Sequence, residues 1–136
     1  MAKIAILRYF RFITILLALA VLGCAPQHIK NVSNAPVASS KANLTLDDVG
    51  NAIKLAGTGL GWGMKEDSPG SITATLLLRS HRAVVVIKYD TKSYSIDYAD
   101  STDLKYDSKK QTIHKNYNGW IQNLDNAIRT NLANLT

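Results

Sequence analysis

Apolar and polar residues alternate through the middle of the chain, and this pattern defines its strands. The alternation runs through 71–79, 81–89 and 93–98, and apolar residues at every second position predict half-buried β-strands. The stretches D-S-P-G at 67–70 and D-T-K at 90–92 contain turn-forming residues. Connections this short leave no room for crossover helices, so the sequence predicts an antiparallel sheet.

Apolar steps of three and four positions predict one helix on each side of these strands. The first helix begins after Thr45, a typical N-cap residue, and Asp47 and Asp48 suit the positive end of its dipole. Gly57 or Gly59 ends it. The second helix carries an apolar stripe made of Tyr117, Trp120, Ile121, Leu124, Ile128, Leu132 and Leu135.

Together these elements predict an α+β fold. A small antiparallel sheet of three to five strands has an N-terminal and a C-terminal helix packed on one face. The further strands are expected at 62–66 and around 111–113. We place this folded domain at 45–136, a length that can bury a core without disulfides.

The stretch 24–44 has no sustained apolar period and contains Pro26, Pro36 and several Ser and Asn residues. This composition predicts a flexible tether. A coil of this length spans roughly 25 Å on average and about 60–65 Å at most. The sequence therefore predicts a domain that stands away from whatever its N-terminus is attached to.

The first 22 residues have the composition of an export signal. Residues 1–11 are basic, and 12–22 form an uncharged apolar run. A membrane-spanning helix needs about 20 apolar residues, whereas the apolar core of a secretory signal needs 7–15. The shorter run therefore predicts a signal peptide.

The end of the apolar run is more specific. Val21-Leu22-Gly23-Cys24 resembles the lipobox of bacterial lipoproteins, in which an aliphatic residue, a second apolar or small residue and Gly or Ala precede an obligatory Cys. The resemblance implies that the thiol of Cys24 receives a diacylglyceryl group, that 1–23 are removed, and that the freed amine is acylated. Ala25, in place of the Asp that retains many such proteins at the inner membrane, implies the outer membrane of a Gram-negative cell.

Charge and cysteine content argue against a nucleic-acid-binding domain, an internal disulfide and a zinc site. The whole chain has a formal net charge of +6, but 1–23 contain three basic residues and no acid, so the remainder carries 13 basic and 10 acidic side chains. A surplus of +3 without an aromatic platform is not typical of a nucleic-acid-binding domain. The single cysteine excludes an internal disulfide, and no Cys/His spacing indicates zinc.

The folded part has a resemblance of its own. The segment from Gly61-Trp62 through Y-S-I-D-Y-A-D-S-T-D-L-K-Y-D to I-H-K-N-Y-N-G-W-I-Q-N-L-D-N-A-I resembles the body of a group of small, uncharacterised proteobacterial lipoproteins. This resemblance implies the envelope location and the domain boundary. It implies no activity and no catalytic residue.

The two faces of the predicted sheet differ in polarity. One face is entirely apolar or aromatic and is expected to lie beneath the helices. The other face is expected to meet solvent with an apolar patch and a basic rim, an arrangement that protein-binding surfaces share. We therefore predict a partner-binding patch made of Leu77, Val84 and Val86, rimmed by Arg79, Arg82 and Lys88.

A second binding hypothesis places a small ligand or cell-wall fragment between the last helix and the sheet, around Tyr98, Tyr117 and Trp120. The aspartates of 97–107 lack the alternating ligands and the closing Glu of a calcium loop, so we expect an acidic turn and no metal. Ser80 and His81 are sequence neighbours whose side chains are expected to point apart. We expect no enzyme and no cofactor.

The leading hypothesis is therefore a lipid-anchored outer-membrane lipoprotein with a non-enzymatic periplasmic domain. Its partners are the membrane, through the lipid on Cys24, and another envelope component, through the sheet face or the acidic loop. The alternative is a periplasmic module that binds a small ligand or cell-wall fragment.

Overall fold

The computed structural model describes residues 25–136. In chain order the elements are β1 (Gln27–His28), β2 (Val32–Pro36), α1 (Leu46–Gly59), β3 (Gly63–Ser68), β4 (Ser71–Leu78), β5 (His81–Tyr89), β6 (Ser93–Thr102), β7 (Thr112–Ile113) and α2 (Lys115–Ala133). The predicted α+β class is confirmed, with one helix before the central strands and one after them.

A five-stranded antiparallel sheet has the order β2-β6-β5-β4-β3, and β1 pairs with β7 in a separate two-stranded sheet. The β4–β5 hairpin closes at Leu78 and His81, with Arg79 at φ +57° in the turn between them. Between β5 and β6 the register shifts by one residue after the Val84–Asp100 pair. This bulge lets β6 bend as it leaves the sheet.

Both helices lie on the apolar face of the sheet, as the alternation predicted. The buried side chains of this face are Ile72, Ala74, Leu76, Ala83, Val85, Ile87, Tyr89, Tyr94 and Ile96. The α2 residues that complete the core are Tyr117, Ile121, Leu124, Ile128 and Leu132, each fully buried. Gly50 lies where α1 closely approaches the sheet, because a Cβ atom there would lie 2.5 Å from the Tyr89 hydroxyl oxygen.

The start of α1 follows the sequence signal closely. The Thr45 hydroxyl accepts a hydrogen bond from the Asp48 backbone N–H, and the Asp48 carboxylate accepts one from the Thr45 backbone N–H. This reciprocal capping box satisfies two N–H groups that the helix itself leaves free. Lys41 adds an ion pair to Asp48, with its Nζ 2.9 Å from Oδ1.

The N-terminal tether is where the prediction is wrong. Most of 24–44 lies on the domain, because β2 pairs with β6 along the edge of the main sheet and β1 pairs with β7. Val32 and Ala35 are buried in the same core as the helices. The folded domain thus starts at Gln27. Pairing with β6 stabilises β2, whose own sequence does not favour a strand.

Candidate functional site

The outer sheet face, predicted to bind a partner, retains only part of its exposed apolar surface. Leu77 is 69% exposed, Val86 is half-buried and Val84 is only 7% exposed. Including Val84 in an exposed patch is therefore wrong. It lies on the central strand between Thr75 and Asp100, where neighbours on both sides shield a short side chain even without a helix above it.

The three basic residues around that patch also differ in their environment. The Nη1 atom of Arg82 donates to Oδ2 of Asp100 across 2.7 Å, and this bond lowers the pKa of the Asp100 carboxyl. Arg79 and Lys88 remain exposed. The face thus offers Leu77 and separated charges, without the contiguous apolar centre typical of a stable protein interface.

Three of the four aspartates of 97–107 form local bonds. Asp100 pairs with Arg82, and the Asp103 carboxylate accepts from the Ser80 hydroxyl across 2.6 Å. Asp107 accepts from the backbone N–H groups of Lys109 and Lys110, and these bonds lower the pKa of its carboxyl. Within 25–136, no group of three or more His, Cys, Asp or Glu side chains is placed to hold a metal ion.

Ser80 and His81 meet around Asp103, but not as a catalytic pair. The serine hydroxyl bonds to the carboxylate, and the Nδ1 atom of His81 lies 2.8 Å from the Asp103 carbonyl oxygen. A nucleophilic serine instead gives its proton to a general base, most often an imidazole. On its other side the His81 ring packs near the rings of His114 and Trp120, with centroids 6.1 and 6.2 Å away.

The aromatic cleft predicted between α2 and the sheet is filled by its own side chains. Tyr117 is fully buried, and the Tyr98 ring lies 5.8 Å from it and 4.2 Å from the Tyr106 ring. Burial raises the pKa of the Tyr117 hydroxyl above its usual range. Trp120 is only half-buried and packs at the rim of the core. These tyrosines form part of the core, so the cleft does not provide a ligand cavity.

A pocket that the sequence did not suggest lies beside the start of the folded chain. It has a volume of about 180 Å³ and is bordered by Ala25 and Pro26 on one side. The opposite wall comes from the loop before β7 and from the start of α2, and consists of Lys105, Asp107, Lys110, Thr112, His114 and Lys115. We call this pocket, with the adjacent Lys109, the lysine site.

Backbone pairing holds the two walls of the lysine site together. Gln27 and His28 pair with Ile113 and Thr112, and the Ile29 N–H donates to the Gln111 carbonyl. Asn118 of α2 then binds the same segment through both ends of its side-chain amide. Its Oδ1 accepts from the Lys30 N–H and its Nδ2 donates to the His28 carbonyl, at 2.9 and 2.8 Å.

The lysine site contains the whole charge surplus of the chain after residue 23. Residues 104–115 have four lysines and one aspartate, a net charge of +3. The other residues of 24–136 carry nine basic and nine acidic side chains, which balance. The four lysines form no ion pair with any described residue, so their charge faces solvent.

The cluster of lysines was visible in the sequence, but the opposite wall of the pocket was not. Lys105, Lys109, Lys110 and Lys115 lie in a short stretch that follows the acidic turn, and the two stretches together read as a mixed, solvated loop. Only the pairing of β1 with β7, which joins segments more than 80 residues apart, places the lysines beside Ala25 and Pro26.

Comparison with known proteins adds no relative to this picture: no family model, curated protein or solved structure matches the chain. Cys24, the predicted lipid attachment site, lies outside the described residues, so its acylation stays a prediction. In 25–136, neither helix has the length and apolar character needed to cross a membrane.

Proposed function

We propose that this chain is a lipid-anchored protein of the bacterial envelope, attached through acyl groups on Cys24, with a non-enzymatic α+β domain. The observation that carries the proposal is the Val21-Leu22-Gly23-Cys24 sequence directly behind a basic and then apolar stretch. Each buried methylene adds roughly 0.8 kcal/mol to membrane binding, so two or three chains make attachment effectively permanent.

The start of the folded part supports the same proposal. The first strand begins at Gln27, so cleavage before Cys24 would remove none of the described elements. Ala25 follows the modified residue and favours the outer membrane in a Gram-negative cell. The non-enzymatic part of the proposal is supported by the bonding of Ser80 to Asp103 and of the aspartates to Arg82 and to turn amides.

The alternative, a ligand-binding module around Tyr98, Tyr117 and Trp120, gains no support from the geometry. The tyrosines are packed against each other, and Tyr117 has no exposed surface.

Acylation of Cys24 tests the proposal directly. Wild-type protein expressed in a Gram-negative host should incorporate an alkyne-labelled fatty acid, and its intact mass should equal residues 24–136 plus the acyl groups. Cys24→Ser should accumulate as a precursor without label, because a hydroxyl does not form the thioether. Ser33→Ala, an exposed change on β2, is the matched control and should mature normally.

Sorting is tested separately with Ala25→Asp. The variant should move from the outer-membrane to the inner-membrane fraction of a density gradient while keeping its acyl groups. Normal processing of Cys24→Ser would refute the proposal as a whole, whereas unchanged sorting of Ala25→Asp would refute only the outer-membrane assignment.

A further inference from the structure

We propose that the lysine site is the face on which the domain rests against an anionic phospholipid surface. This inference rests on the proposed function, because it needs the acyl anchor at Cys24. It adds the surface of contact, the chemistry of the partner and the orientation of the domain on the bilayer.

The position of the anchor is the first argument. Only Ala25 and Pro26 separate Cys24 from the first residue of β1, and three fully extended peptide steps reach about 10 Å. Pro26 also restricts Ala25 to extended conformations, so this link is stiff. Since Ala25 and Pro26 themselves border the lysine site, acyl groups on Cys24 bring that site to the level of the lipid headgroups.

The charge is the second argument. At physiological ionic strength the field of an anionic membrane decays over about 8 Å, so only lysines held close to the surface are attracted by it. The short link lets the four lysines come within that distance of the surface. Each lysine near an anionic surface contributes about a fivefold increase in binding, and the remaining charges of the domain sum to zero.

An exposed apolar turn lies at the same end of the sheet and supports the same orientation. Leu78 pairs with His81, whose ring lies 6.1 Å from that of His114 in the wall of the lysine site. Leu77 and Leu78 are 69% and 48% exposed, and the exposed Arg79 follows them. Adjacent apolar and basic side chains suit the boundary between headgroups and acyl chains.

The opposite end of the domain provides an internal control. The strand β5 runs from His81 to Tyr89 and is about 27 Å long, so the β5–β6 turn at Thr91 lies at the far end of that strand from His81, whose ring packs near His114. A docked domain holds Ser108, in the loop of the lysine site, near the headgroups and Thr91 far from them. A domain that tumbles on its anchor gives both positions similar access.

The experiment compares how close positions 108 and 91 of the acylated protein lie to the bilayer. Ser108→Cys and Thr91→Cys variants are labelled with a fluorophore, since the thiol of Cys24 is blocked by its thioether, and are placed in vesicles containing a headgroup-quencher lipid. Vesicles of phosphatidylglycerol and phosphatidylethanolamine are compared with vesicles of phosphatidylcholine alone. We expect strong quenching at position 108 and weak quenching at 91 in the anionic vesicles, and a smaller difference in phosphatidylcholine.

Charge variants show whether the lysines cause the docking. Lys109→Gln with Lys110→Gln should lower the ratio of docked to undocked domain about twenty-five-fold. Their backbone bonds to Asp107 do not involve the side chains, so the loop keeps its shape. Lys65→Gln with Lys92→Gln removes the same charge from exposed positions elsewhere and should leave the ratio unchanged.

Each outcome separates the two proposals. An intact mass without acyl groups would refute the proposed function. Acyl groups with equal quenching at 108 and 91 in anionic vesicles would refute docking alone, as would equal effects of the two lysine pairs. Raising the salt to about 1 M, where the screening length falls to about 3 Å, should release position 108; quenching that resists salt would overturn the electrostatic basis.

Discussion

A buried hydrogen bond between Tyr94 and Asp125 fixes α2 on the sheet, and removing it should cost measurable stability. The Tyr94 hydroxyl of β6 donates to Oδ1 of Asp125 across 2.5 Å, and Arg129 Nε donates to Oδ2 across 3.1 Å. Tyr94 is 1% exposed and Asp125 is 6% exposed. Burial and the adjacent carboxylate raise the pKa of Tyr94 above its usual range, so it stays a donor at ordinary pH.

Tyr94→Phe removes the donor and leaves the ring. Hydrogen bonds to charged groups contribute about 1.5–3 kcal/mol, and Asp125 would keep Arg129 as a partner, so we expect a loss of about 2 kcal/mol. For a domain of this length that loss lowers Tm by roughly 8–10 °C. Urea denaturation of residues 25–136, followed by the fluorescence of the buried Trp62, measures the free energy.

A double-mutant cycle tests the assignment to this bond. Asp125→Ala leaves the Tyr94 hydroxyl buried without its acceptor, so the double variant should lose at least about 1 kcal/mol less than the two single losses added together. Tyr106→Phe removes a half-buried hydroxyl with one long contact, 3.3 Å from Gln111 Nε2, and should change stability by less than about 0.5 kcal/mol. Additive losses, or a Tyr94→Phe effect as small as that control, would refute the reasoning.

Three further changes have defined outcomes. Asn118→Ala should speed amide hydrogen exchange at Ile29 and Lys30; unchanged exchange would mean β1 is held without it. Tyr117→Phe should leave stability unchanged or raise it by about 1 kcal/mol in urea denaturation, because the buried hydroxyl has no hydrogen-bond partner among the described residues; a clear loss would contradict this. The Lys41 ion pair and Thr45 bonds lower the pKa of Asp48 from 3.8 to about 2, so its contribution is complete above pH 3.8 and lost as pH falls towards 2. Asp48→Asn should flatten that part of the acid-denaturation curve.

The elements with a regular apolar period were predictable from the sequence alone. Most of the α2 stripe and of the inner face of β4 and β5 is buried as expected. Each of these elements has one apolar face, and that face can be buried in only one orientation of the element. Trp120 departs from its stripe since it lies at the edge of the core, beside His81 and not beneath the sheet. Leu78 continues the inner face of β4 but is 48% exposed, at the end of the strand where the hairpin to β5 closes.

The strand β2 was not predictable because its local sequence opposes it. Its inward residues, Val32 and Ala35, are three positions apart across a register shift, so they show no period of two. Between them Asn34 has φ +48°, and Pro36 suits only an edge strand. The stabilising partner is β6, about 60 residues away in the chain, and sequence patterns of short range do not detect such pairing.

The lysine site was missed for a related reason. Acidic residues stood out in 97–107, yet Asp100 is paired with Arg82 and Asp107 is bonded to turn amides. Unpaired charge determines what a surface attracts, and only the three-dimensional structure shows that Asp100 is paired with Arg82 while the lysines of 104–115 form no ion pair with a described residue.

The corrected path of the N-terminal segment changes what an anchor at Cys24 would do. A tether of about 25 Å would let the domain present any face to the membrane or to a distant partner. A link of about 10 Å, ending in β1 and pinned by Asn118 to α2, leaves too little length for the domain to turn over. An anchor at Cys24 would then set orientation as well as location. In the proposed arrangement the lysine site would face the bilayer, and the β5–β6 turn and the C-terminal end of α2 would face away and be the surfaces left for a second envelope component.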